Sequence, residues 1–192
     1  PDPKKSQQWN RGAYLVEGLG HCGACHTPKN CAGADENSSV LQGGNLQNWF
    51  APNLDPDLRA GLGHWSAADI VEYLKTGRNQ FSNATGPMSE VVQYSTSKLT
   101  DDDLHAVATY LKDLPKKSQD NDNTKPSVDA NVANAGKAIF GDQCAECHGA
   151  DGAGEPTFFP PLKGNNNVQQ ADPTTAIRVI LEGTRSVPTK AR

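Results

Sequence analysis

The sequence predicts an all-α chain with long loops, folded as two tandem units. Three observations predict it. Helical periodicity with matching start and stop signals recurs along the chain. No alternating strand pattern of useful length appears. The stretch from Lys116 to Ala130, KKSQDNDNTKPSVDA, is polar and charged with almost nothing to bury, which is the composition of a linker. The expected division is therefore 1–115, a linker at 116–130, and 131–192.

Each helix has its own signal. Gly12 to Gly20 carries Tyr14, Leu15 and Leu19 and leads into the first cysteine pair. Ser66-Ala67-Ala68-Asp69 is a capping-box pattern, followed by Ile70, Val71, Tyr73 and Leu74, with Gly77 as the stop. Thr100-Asp101-Asp102-Asp103 opens another helix, and its carboxylates suit the positive end of the helix dipole. Behind them Leu104, Val107, Ala108 and Leu111 repeat on one face, and Pro115 ends the run. In the second unit Asn131 to Gln143 carries Val132, Ile139 and Phe140 and leads into the second cysteine pair. Asp172-Pro173 opens a last helix with Ile177, Ile180 and Leu181, stopped by Gly183. The units also match each other. Tyr73-Leu74-Lys75-Thr76-Gly77-Arg78 aligns with Ile180-Leu181-Glu182-Gly183-Thr184-Arg185, and Pro52-Asn53-Leu54 with Pro161-Leu162.

Composition sets limits. Apolar residues are 35% of 192, too few to fill a full core easily, so a large apolar prosthetic group is expected to complete it. No run approaches the roughly 18–20 apolar residues of a membrane span. The net charge of -4, with no basic cluster, argues against a nucleic-acid partner. Beginning Pro1-Asp2-Pro3, without Met or signal peptide, the chain reads as a mature or trimmed form.

The chemistry lies in the cysteines. Four of the five form Cys22-Gly23-Ala24-Cys25-His26 and Cys144-Ala145-Glu146-Cys147-His148. C-x-x-C-H is the c-type haem attachment signature. Two thiols add across the two vinyl groups on one porphyrin edge, and the adjacent imidazole reaches the iron. Two such segments imply two covalently attached haem c groups, with His26 and His148 as iron ligands. Two C-x-x-C pairs can also hold zinc, but that leaves both adjacent histidines unexplained. A redox dithiol would need a βαβ context that is absent. Cys31 is expected to be a buried or lightly exposed free thiol.

The sixth ligand decides how each iron behaves. The single Met, Met88, lies in the polar loop Gly86-Pro87-Met88-Ser89, poor context for core packing, and is the expected second ligand of the first iron. It stands ten residues after Arg78, and ten residues after Arg185 lies beyond Arg192. The second haem thus lacks a Met within this sequence. One account is a lost C-terminus, another a five-coordinate iron. A third is ligation by His21, His64 or His105, of which His64 is the best placed. A metal-bound His usually gives its other N–H to a carbonyl, and Pro52 and Pro161 are the candidates. Trp49 and Trp65 can wall the haem or bond a propionate, or simply pack the core.

These residues carry a family resemblance. Gly136-x-x-x-Phe140-x-x-x-Cys144 with its haem motif resembles class I cytochrome c. Arg11-Gly12-Ala13-Tyr14-Leu15, Cys25-His26-Thr27-Pro28, Gly61-Leu62-Gly63-His64-Trp65-Ser66, Tyr73 to Arg78 and Phe159-Pro160-Pro161-Leu162 are similar to the multihaem cytochrome subunits of bacterial membrane-bound dehydrogenases acting on alcohols, aldehydes, gluconate and related sugars. The resemblance implies two class I cytochrome c domains in tandem, the second cut short at its C-terminus. It implies an electron-transfer subunit that takes electrons from a dehydrogenase catalytic subunit and passes them to quinone or a terminal oxidase. Covalent haem places the chain in the bacterial periplasm, associated with the membrane through a partner or a missing segment. Nothing resembles a nucleophile with its base, so no catalytic residues are assigned. Two alternatives stand beside this reading. One is a dihaem enzyme with an open haem acting on peroxide or a sulfur compound. The other is a free dihaem shuttle resembling cytochrome c4.

Overall fold

The structure is a computed structural model describing residues 1–117, 128–155 and 158–189. Its elements run α1 (Gln7–Ala13), a π-helical segment (Tyr14–Leu19), α2 (Gly23–His26), β1 (Gly44–Leu46), β2 (Trp49–Ala51), α3 (Ala67–Thr76), α4 (Pro87–Tyr94), α5 (Asp101–Lys112), α6 (Ala130–Gln143), α7 (Ala145–His148), α8 (Asn166–Gln169) and α9 (Thr174–Glu182). The chain is mostly helical, as expected. Among the described residues no helix is long and apolar enough to cross a membrane.

The expected caps form. Ser66 Oγ accepts from the Asp69 amide while the Asp69 carboxylate accepts from the Ser66 amide, closing a capping box at α3. Gly77 ends that helix in the left-handed region at φ 83°. Thr100 Oγ1 accepts from the Asp103 amide at the start of α5.

Crossing α1 against α5 builds the core of the first half. A Cβ on Gly12 would lie 2.0 Å from the Ala106 carbonyl oxygen, so the two backbones meet directly. Around this crossing Leu15, Val16, Leu62, Trp65, Ile70, Val107, Ala108 and Leu111 are buried together. Arg11 clasps Asp103 with Nε and Nη2 at 2.7 and 3.0 Å across the same crossing. Gly12 stands ten residues before Cys22, whereas Gly136 stands eight before Cys144. The wider π turn, with Gly20 N bonded to Leu15 O, takes up the difference.

Two features depart from the sequence expectations, and a third bears on the expected linker. First, Asn45 and its neighbours pair antiparallel with Trp49–Ala51 in a short hairpin. Its two-residue turn, Gln47 and Asn48, sits at φ 50° and 61°, a left-handed pair that Asn tolerates well. Strands this short leave too few residues for an alternating pattern. Second, Met88 belongs to the first turn of α4 rather than to a loop, because Pro87 fits the first helical position and Gly86 supplies the φ of 52° before it. Third, the start of the expected linker is fastened to the first half. Lys117 N donates to Asp55 at 2.9 Å, and Lys116 Nζ lies 3.6 Å from Asp57. Most of that linker, residues 118–127, lies outside the described residues.

The second half contributes no residue of α6 to a core, and a Cβ on Gly136 would meet nothing within 4 Å. Val132, Ile139, Ile177, Ile180 and Leu181, apolar residues of its two longer helices, are exposed. Part of what is buried there faces the first half. Val187, 4% exposed, packs with Ala84 and Val92 against Tyr73 and Met88. Gln170 Nε2 donates to Ala60 O at 2.6 Å, and Asn167 Nδ2 to Ser82 Oγ at 3.2 Å.

Candidate haem attachment sites

Both C-x-x-C-H segments fold as a single helical turn. In the first, Cys25 N and His26 N bond Cys22 O at 3.2 and 3.0 Å, which sets the two thiols one turn apart with the imidazole beside them. β1 runs directly against this turn. A Cβ on Gly44 would lie 2.7 Å from Thr27 O and 2.8 Å from Cys25 O. Thr27, 1% exposed, accepts the Leu41 amide at 3.0 Å and ties the following loop back to the motif. None of the five cysteines is paired in a disulfide. Burial pushes the Cys22 thiol up to about 11 and raises Cys25 as well, so both are protonated thiols at neutral pH.

His26 Nδ1 lies 2.7 Å from Pro52 O. A carbonyl oxygen can only accept, so Nδ1 carries the proton and Nε2 keeps its lone pair. Burial lowers the His26 pKa, against the smaller raising effect of the Pro52 carbonyl, which keeps the ring neutral. A neutral imidazole with a fixed ring plane and a free Nε2 is what an iron ligand requires.

The second turn repeats this arrangement. Cys147 N and His148 N bond Cys144 O at 3.2 and 3.0 Å. His148 Nδ1 faces a carbonyl at 2.9 Å, but it is that of Pro160, not the expected Pro161. Gly154 explains the shift. A Cβ there would sit 2.5 Å from Phe159 O and 2.8 Å from Pro160 O, so the chain doubles back closely and presents Pro160 to the ring. The Pro161 carbonyl turns away and accepts Asn165 Nδ2 at 3.1 Å. The Phe159 ring meets His148 edge-on at 6.2 Å.

A family model described as Cytochrome c matches residues 10–115 and 133–190. The chain belongs to the cytochrome c family. Three curated relatives refine this. The chain is 43% identical over 199 residues to the "Alcohol dehydrogenase (quinone), cytochrome c subunit" of Gluconacetobacter polyoxogenes, covering 95% of this chain and 42% of that protein. It is 37% identical over 204 residues to the "Fructose dehydrogenase cytochrome subunit" of Gluconobacter japonicus, again 95% and 42%. It is 46% identical over 106 residues to a "Diheme cytochrome c-type" protein of Cereibacter sphaeroides, covering 55% of this chain and 35% of that one. The chain thus spans under half the length of the dehydrogenase subunits it matches. Membership in the family implies covalently bound haem c and electron transfer.

The other expected site residues of this cytochrome fall in different places. Met88 is half-buried among Ala84, Val92, Val187 and Tyr73. Trp49 lies beneath the start of α4, where a Cβ on Gly86 would sit 2.6 Å from the indole. Trp65, 5% exposed, is core. It stacks on Phe81 at 6.0 Å and meets Tyr73 edge-on at 5.2 Å. His21, His64 and His105 are exposed, and His105 Nδ1 is engaged with Asp101 O at 2.7 Å within its own helix. Cys31 is exposed, not buried. Among the described residues no three His, Cys, Asp or Glu side chains gather as a metal-ligand cluster, so the two cysteine pairs are not brought into one zinc site. Sequence reasoning missed Phe159 and Pro160 as neighbours of His148. The run Phe159-Pro160-Pro161 holds two adjacent prolines, and spacing alone does not say which carbonyl faces inward.

Proposed function

We propose that the chain is a dihaem electron-transfer unit made of two cytochrome c domains, 1–115 and 131–192. In this reading Cys22 and Cys25 hold one haem with His26 on its iron, and Cys144 and Cys147 hold the other with His148. Met88 would supply the second protein ligand to the first iron. The observation that carries the reading is the repeated turn, in which each motif histidine gives Nδ1–H to a proline carbonyl and keeps Nε2 free. When bound, the haem supplies reversible one-electron chemistry at its iron. The protein supplies ligation, orientation and a low-dielectric wall.

The relatives' printed names support a place in a dehydrogenase complex. The chain then accepts electrons from a catalytic subunit and passes them to quinone or a terminal oxidase, on the periplasmic side of the cytoplasmic membrane. The deciding experiment is the intact mass together with a redox titration. A mass exceeding the polypeptide by two haems, and two one-electron steps, are expected. A bare-chain mass would overturn the proposal. Reduction of the purified chain by a dehydrogenase core, and its reoxidation by a quinone analogue, tests the route.

A further inference from the structure

We propose that Thr175 and Arg178 of α9, in the second half, are positioning residues for the ligand frame of the first haem site. This rests on the reading of His26 and Met88 given above.

The argument begins with the hairpin. Phe50 stands opposite Asn45, with the Gly44–Ala51 and Leu46–Trp49 pairs on either side. In an antiparallel ladder closed by a two-residue turn, that places Phe50 at a non-hydrogen-bonded pair, so its N–H and C=O point away from β1. Thr175 meets both. Its Oγ1 accepts the Phe50 amide at 3.0 Å and donates to the Phe50 carbonyl at 2.8 Å. Thr175 is 4% exposed. One buried hydroxyl takes the role of a neighbouring strand at this residue.

Arg178 lies three residues on, on the same face of α9. Its Nη1 donates to Gln47 O at 3.1 Å and Asn48 O at 3.2 Å, the two carbonyls of the hairpin turn. Its guanidinium carbon sits 4.3 Å from the Trp49 ring centroid. Nε and Nη2 bond the Glu182 carboxylate at 3.0 and 2.8 Å, so the fork is held flat in place. The turn, the indole and the strand edge are therefore all fastened to one helix.

That hairpin supports the first site from two directions. Trp49 underlies Gly86, the residue that starts the helix bearing Met88. Pro52, directly after β2, presents the carbonyl that fixes the His26 ring. A shift of β2 moves both supports together. Neither Thr175 nor Arg178 belongs to the first half, so the geometry of the first iron depends on a helix that follows the second haem motif in sequence.

The test uses the full haem-loaded chain. Thr175→Val keeps the shape and removes both hydrogen bonds, and Thr175→Ser restores the hydroxyl. In Thr175→Val the Phe50 amide is expected to exchange with deuterium about tenfold faster, the scale of one lost hydrogen bond. The far-red sulfur-to-iron absorption of the first haem should weaken and its potential fall, while the second haem keeps its potential. Thr175→Ser should recover all three. Unchanged absorption and potential in Thr175→Val would overturn the proposal. Should that variant not fold, Arg178→Leu is read the same way, and its unchanged first-haem potential would be equally decisive. A wild-type protein lacking the far-red absorption would instead sink the Met88 reading. The amide exchange and the first-haem potential would then still decide the role of Thr175.

Discussion

Gly12 and Ala106 touch backbone to backbone, with room for no side chain between them: a Cβ on Gly12 would stand 2.0 Å from the Ala106 carbonyl oxygen and 2.8 Å from Tyr110 Cβ. Neither neighbour can swing aside, because one is main chain and the other is buried. Gly12→Ala must therefore push α1 and α5 apart. It is expected to cost about 3 kcal/mol, the upper end of overpacking, as seen by thermal or denaturant unfolding. Gly136, at the corresponding place before the second motif, meets nothing within 4 Å. There Gly136→Ala should gain about 0.5–1 kcal/mol from helix propensity. Equal costs at the two sites would show that α6 is covered like α1.

Asp69 ties the start of α3 to the loop beyond it. Burial pushes its carboxyl up, but hydrogen bonds from Ser66 and Gln80 together with the Lys112 charge outweigh this and hold it below the usual carboxylate range. A depressed carboxyl stabilises the fold above its unfolded value of about 3.9, and the contribution is lost as pH falls through the folded value. Asp69→Asn should therefore be less stable than wild type at pH 7. The gap should hold down to about pH 5 and narrow below about pH 4. Ser66→Ala should cost about 1 kcal/mol as a lost cap. Urea unfolding across pH checks both.

Replacing Met88 with Ala is expected to remove the far-red sulfur-to-iron absorption of the first haem and to lower its potential, since a thioether ligand favours reduced iron. Carbon monoxide should then bind an iron that excluded it before. An unchanged spectrum would refute the ligand assignment.

Val187 reaches back from the second half to cover Gly77, where a Cβ would lie 2.7 Å from a Val187 methyl. It closes a small cluster with Ala84 and Val92 beside Met88. Val187→Ala should cost roughly 1–3 kcal/mol through the cavity it opens. The first haem's far-red absorption should broaden with it, whereas a substitution at exposed Ile180 should leave that spectrum alone.

Much of this was legible in the residues, and what was not has physical reasons. Ser66, Thr100 and Gly77 announced their helix ends because caps are local chemistry, readable within four residues. The haem signature was legible because two thiols and an imidazole at fixed spacing have few other uses, and the cytochrome c family match agrees with it. Helix α4 was not, since Val91 and Val92 are poor helix formers and the tertiary contact of Val92 decides the matter. The hairpin was hidden by its brevity. Pro160 rather than Pro161 follows from the fold-back at Gly154, a contact between residues that no pattern links. The docking of α9 was equally invisible, because Thr175 and Arg178 act through backbone carbonyls, which every residue possesses.

Each strand of a two-stranded ribbon normally leaves its outer amides and carbonyls open to any passing extended chain, a standing invitation to intermolecular pairing. The hydroxyl of Thr175 occupies both groups of Phe50, and Arg178 occupies the carbonyls of Gln47 and Asn48. A foreign strand finds this rim already taken. Cytochrome molecules crowded together at high concentration are thereby kept from pairing along the β2 edge of this hairpin, an edge that a variant lacking the Thr175 hydroxyl reopens.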